Sequence, residues 1–75
     1  MTEQEFNQAA QRYLDMVYRI ALNALRRPAD AEDAAQTVML RLWQTQEAFE
    51  GEDHLRHWLV RVTVNVCRDL TRSAW

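Results

Sequence analysis

The stretch His54-Leu55-Arg56-His57-Trp58-Leu59-Val60-Arg61-Val62-Thr63-Val64-Asn65-Val66-Cys67-Arg68-Asp69-Leu70-Thr71-Arg72 decides the fold, because two readings compete for it. Val60, Val62, Val64 and Val66 alternate as a half-buried strand would. Against this, Leu55, Leu59, Val62, Val66 and Leu70 recur at four and three residues. The polar residues His54, Arg61, Asn65, Arg68 and Arg72 recur at the same spacing and fall within roughly 60° of one another at 3.6 residues per turn. Two interlocked stripes of one period predict a helix over about residues 54–73, with the aliphatic ridge facing a core. Trp58 falls at the edge of the polar stripe. Arginines one turn apart can each meet a phosphate, an interposed asparagine can hydrogen-bond a base edge, and an aromatic ring can stack. Any surface helix also needs a polar face, and Asp69 is near enough to pair with Arg72 or Arg61.

Upstream, Thr2-Glu3-Gln4-Glu5 has the spacing of a capping box. Phe6, Ala10, Tyr13, Val17, Ile20, Ala21 and Ala24 then form a stripe roughly 100° wide, opposite Gln8, Arg12, Asp15, Arg19 and Arg26. This predicts a long first helix over about residues 3–26, with Pro28 supplying the break. Asp30 is the expected N-cap of a second helix over about residues 31–46, with Asp33 also suiting its positive end. Ala31, Ala34, Ala35, Val38 and Leu42 point inward, and Asp33, Gln36, Thr37, Leu40, Arg41 and Gln44 point outward. Leu40 among polar neighbours resembles a small docking surface, apolar at its centre and polar at its rim; a solvated face with one stray leucine reads equally well. An acidic loop over about residues 47–53, holding Gly51, Glu47, Glu50, Glu52 and Asp53, precedes the third helix, which Asp53 or a neighbour can cap.

These elements make an all-α fold, a compact three-helix bundle in a single domain spanning residues 1–75. One glycine and one proline favour long helices over sheet. A chain this short hides only about 60% of the surface its unfolded form exposes, so its stability is marginal. No apolar run approaches the roughly 20 residues of a membrane span, and no signal peptide opens the chain. The lone Cys67 has no internal disulfide partner, which suits a reducing compartment. The expected location is the cytoplasm, with no membrane association.

Charge is uneven along the chain. Residues 1–53 carry five arginines against ten acids, whereas residues 54–75 carry Arg56, Arg61, Arg68 and Arg72 against Asp69 alone. The basic part is therefore the third helix, although the whole chain has a net charge of −2. No nucleophile constellation or phosphate-binding glycine loop is present, and His54 and His57 lack a Cys or acid to complete a metal set. No enzyme and no cofactor is expected.

The run Asp30-Ala31-Glu32-Asp33-Ala34-Ala35-Gln36-Thr37-Val38-Met39-Leu40-Arg41-Leu42-Trp43 resembles the second conserved region of bacterial RNA polymerase sigma factors, most closely the extracytoplasmic-function (ECF) group. The run from His54 to Arg72 resembles that group's promoter-reading helix, with its Trp-Leu, Arg, Asn, Asp and Arg positions in order, and the Tyr13 and Val17-Tyr18-Arg19-Ile20-Ala21 positions fit as well. The resemblance implies a sigma region 2 domain that recognises and opens the promoter −10 element while docked on core RNA polymerase. It implies that Asp33 and Gln36, extended by Leu40, Arg41 and Gln44, meet the clamp coiled coil of the largest catalytic subunit. Thr37 stands where the family has an acid. Phe49 takes the place of a pocket-forming aromatic that receives a flipped base, and Asn65 that of a base-reading amide. The DNA-binding set is then Phe49, His54, Trp58, Arg61, Asn65, Arg68 and Arg72, with Trp58 as core or pocket wall. An anti-sigma factor is the further expected partner of a monomer. Family members continue into a domain that reads the −35 element, and this chain stops at Trp75, which fits an excised domain.

Two rival readings remain at the level of the residues. A free-standing helix-turn-helix DNA binder would need a turn of about three or four residues before its recognition helix, shorter than the acidic loop. A helical protein-interaction module would use the Leu40 face and leave the arginines of the third helix to solvent.

Overall fold

The computed structural model describes residues 1–73, Ser73 by its backbone alone; Trp75, where the sequence ends, lies outside them. The chain folds as three helices, α1 (Glu3–Leu25), α2 (Pro28–Gln44) and α3 (Glu52–Ser73). Each packs against the other two. The Phe6 ring meets the Trp43 ring edge to face at 5.2 Å, so α1 and α2 run antiparallel. Tyr13 meets Glu52 at the start of α3, and Ile20 and Ala24 line a hollow with Val64, Cys67 and Thr71 further along it, so α3 runs parallel to α1.

Each helix begins for a readable reason. Thr2 and Glu5 close the expected capping box: the Thr2 hydroxyl accepts from the Glu5 amide at 3.1 Å, and the Glu5 carboxylate accepts from the Thr2 amide at 2.8 Å. That bond to the Thr2 backbone holds the Glu5 carboxyl below its usual range. The α1–α2 junction differs from expectation. Pro28 is the first residue of α2, not the break before it, and Asp30 lies in the first turn without capping it. A proline at this position has a preset φ and lacks only an N–H that would have no helical partner. The chain is instead turned by Arg26, in the left-handed region (φ 63°) with its amide on the Leu22 carbonyl, followed by extended Arg27. The connection before α3 spans residues 45–51, so Glu52 and Asp53 form the first helical turn instead of ending the loop.

The core follows the predicted stripes with defined exceptions. Ala31, Ala34, Ala35, Val38 and Leu42 are all buried, as are Tyr13, Val17, Ala21, Leu55, Leu59 and Val66. Ala9 joins them, Ala10 and Ile20 are half-buried, and Ala24 is exposed. Val62 is half-buried against the core. Thr63, Trp58 and Cys67 are buried although no stripe included them. The Thr63 hydroxyl donates to the Leu59 carbonyl at 2.6 Å, which removes the penalty of burying it. Burial also pushes the Cys67 thiol up.

Leu70, expected in the core, is 40% exposed. Arg68, Thr71 and Arg72 on the same turns border a hollow of about 310 Å³ that is also lined by Ile20 and Ala24 near the end of α1.

Candidate functional site

Two surfaces stand out. The first is the outer face of α2. Asp33, Gln36, Leu40, Arg41 and Gln44 are all exposed there, as the spacing predicts. Thr37 is half-buried, and its hydroxyl is engaged with the Asp33 carbonyl at 3.0 Å, which leaves it little to offer a partner. Leu40 is 54% exposed and borders an apolar hollow of about 460 Å³ lined also by Phe6, Met39 and Trp43. Trp43, 48% exposed, was missing from the expected set. Its position three residues after Leu40 and seven after Gln36 was the available signal, since residues so spaced share a helix face. A second hollow of about 750 Å³ lies between α1 and α2, lined by Leu14, Tyr18, Ala35 and Met39 among others. With Leu14 at 45% exposure, the α1–α2 side of the bundle shows more apolar surface than isolated exposed residues would.

The second surface belongs to α3. Arg61, Asn65, Arg68 and Arg72 are exposed at intervals of four, three and four residues, so they form one line along the helix. None of the ion pairs among the described residues uses Arg61, Arg68 or Arg72. Arg56 is exposed on the other side of the helix. Trp58, read as core or pocket wall, is 9% exposed and lies in the core, so the edge of the polar face at that level is closed to solvent.

What closes it is the loop. The Phe49 ring sits edge-on to the rings of Trp58 at 5.5 Å and His54 at 5.2 Å, two α3 residues one turn apart. The Glu50 amide donates to His54 Nδ1 at 3.1 Å, and His54 Nε2 lies 3.6 Å from the Glu47 carboxylate. The Glu47 amide donates to the Thr45 hydroxyl at 3.1 Å. His54 is thus half-buried and engaged with the loop, while His57 is exposed. No group of three or more His, Cys, Asp or Glu side chains converges among the described residues.

Beside the loop, an open cleft of about 870 Å³ runs along α1, lined by Gln8, Gln11, Arg12, Phe49 and Glu52 among others. At its edge the Tyr13 hydroxyl donates to Glu52 at 2.5 Å, and Arg12 pairs with the same carboxylate at 3.2 Å. The Tyr13 bond, then the Arg12 bond, hold the Glu52 carboxyl below its usual range; the same carboxylate pushes the Tyr13 phenol up. Two of the four acids of the expected acidic loop, Glu47 and Glu52, therefore have intramolecular partners.

Residues 9–75 match the family described as Sigma-70 region 2. Over 38 residues the chain is 47% identical to proteins described as ECF RNA polymerase sigma factor SigG from two strains of Mycobacterium tuberculosis, CDC 1551 / Oshkosh and ATCC 25618 / H37Rv. That alignment covers 51% of this chain and only 10% of the relatives' length. No solved structure matches the chain. Among the described residues, no helix is long and apolar enough to cross a membrane. A match over nearly the whole chain, on an all-helical bundle, leads to one conclusion: the chain belongs to the Sigma-70 region 2 family and is of the ECF type.

Proposed function

We propose that this domain serves transcription initiation as a non-enzymatic part of a sigma factor, docked on core RNA polymerase by α2 while α3 reads and opens the promoter −10 element. The observation that carries this reading is the exposed line of Arg61, Arg68 and Arg72, none of them in an ion pair among the described residues, with Asn65 among them, in a chain that matches Sigma-70 region 2. The arginines position the phosphate backbone, which fixes register without reading sequence. Asn65 offers an amide to a base edge. Phe49, braced by Trp58, forms the wall that receives an extruded base; unstacking that base costs a few kcal/mol, which a complementary pocket offsets.

The domain is expected to hold duplex DNA poorly by itself. Affinity for DNA comes mostly from neutralised phosphates, and this chain has a net charge of −2. Docking on polymerase removes the need for such affinity by raising the effective concentration at the promoter. In this reading Asp33, Gln36, Leu40 and Trp43 meet the clamp coiled coil of the largest catalytic subunit, with Arg41 and Gln44 at the rim. An anti-sigma factor that silences the domain would compete for the same apolar side.

The test is retention of core polymerase on immobilised wild-type chain and on Asp33→Lys. Reversing a charge on this face is expected to weaken capture by at least about tenfold. Equal capture by both proteins, with the fold intact by circular dichroism, would remove the α2 face from the mechanism.

A further inference from the structure

His54 stands on the polar stripe of α3, yet its ring is turned to the loop. Nδ1 accepts from the Glu50 amide at 3.1 Å, so in the neutral ring the proton is on Nε2, the nitrogen 3.6 Å from the Glu47 carboxylate. The imidazole also packs against the Phe49 ring in a T-shaped arrangement, centroids 5.2 Å apart. One side chain thereby touches three of the four residues from 47 to 50: a carboxylate, a ring and a backbone amide. The two ends of the connection are held separately, by Thr45 on the Glu47 amide and by Tyr13 and Arg12 on Glu52. Trp58 packs against the Phe49 ring and, among the described residues, makes no hydrogen bond to the loop backbone. The middle of the loop therefore depends on His54.

We propose that His54 is a positioning residue: it fixes residues 47–50, and with them the Phe49 ring, in the shape that receives an extruded base, and does not itself bind the DNA. This rests on the promoter reading given above. It separates His54 from Arg61, Arg68 and Arg72, whose side chains are turned outward on the same stripe. The chemistry makes the two ring nitrogens separable by substitution. An asparagine at 54 puts an acceptor where Nδ1 stands and has no counterpart of Nε2. A glutamine reaches toward the Nε2 position and leaves the Glu50 amide unanswered. Leucine keeps bulk against Phe49 and supplies neither.

The experiment uses the full chain bound to core RNA polymerase and a single-stranded −10 oligonucleotide. Abasic sites are scanned along the strand to find the position whose base contributes most to wild-type binding. The readout for each variant is the preference for the intact strand over that abasic strand. His54→Leu and His54→Gln are expected to lower this preference about three- to tenfold, the worth of one polar contact, with affinity for the abasic strand unchanged. His54→Asn is expected to restore most of it. A wild-type preference that survives all three substitutions would overturn the proposal. So would an equal loss on both strands in His54→Leu, which is the mark of a direct backbone contact or of general unfolding. Arg61→Glu distinguishes the failures. If it weakens both strands while the His54 series leaves the preference intact, the promoter reading stands and the His54 role falls. If wild-type protein shows no preference and Arg61→Glu changes nothing, the promoter reading itself is wrong and carries the His54 role with it.

Discussion

Leu59→Ala is expected to destabilise the domain by about 2–5 kcal/mol, through lost apolar burial and the cavity left behind. Leu59 has no solvent exposure and is among the largest fully buried side chains, at the middle of α3 where the other two helices close over it. A domain of 75 residues has a total stability of about 4–11 kcal/mol on the usual per-residue scale. The substitution therefore removes a large share of it, and at about 4–8 °C per kcal/mol the melting temperature falls by at least 8 °C or so. Thermal unfolding followed by circular dichroism checks this. Leu70→Ala is the internal control: the same deletion in phase on the same helix, at a side chain 40% exposed. It is expected to cost less than about 1 kcal/mol. Equal costs at the two positions would mean that α3 is buried along its full length.

The other large effect is expected from Arg61→Glu combined with Arg68→Glu. The pair changes the balance of residues 54–75 from +3 to −1 and puts two carboxylates where phosphates are proposed to lie. Each phosphate contact contributes to affinity and to its salt dependence, so two reversals act twice, by attraction lost and repulsion gained. Promoter-directed transcription is expected to fall on the order of 100-fold, while capture of core polymerase is retained. Both side chains are exposed and unpaired among the described residues, so the fold should survive the change. If α3 is only a solvated face, promoter output stays near wild type.

How much of this was readable from the residues depends on what each signal reports. Periodicity reports the face of a single helix. It found the whole inward stripe of α2 and the outward line of Arg61, Asn65, Arg68 and Arg72, because those follow from 3.6 residues per turn. It does not report how fully a neighbouring helix covers each turn. Leu70 is in phase with Leu59 but 40% exposed, and Ala24 is in phase with Tyr13 and Val17 but exposed. Nor does it report what a loop covers. Trp58 projects on the polar side of α3 and is buried all the same, because Phe49 folds onto it from the connection. His54 was legible as a polar residue on the right stripe, and its engagement with Glu50 and Glu47 depends on a loop path that no helical spacing encodes. Pro28 illustrates a different ambiguity. The same residue can follow one helix or begin the next, and the left-handed Arg26 two positions earlier decides for the second.

Everything functional depends on which side of α3 meets DNA, and site-specific photo-crosslinking in the polymerase-bound complex measures that directly. A photoreactive residue placed singly at positions 61, 65, 68 and 72 should crosslink to the −10 strand, whereas one at position 56, exposed on the opposite side of the helix, should not. Crosslinking from position 56 as strong as from 61 and 65, or none from any of the four, would contradict the assignment of this helix to promoter recognition.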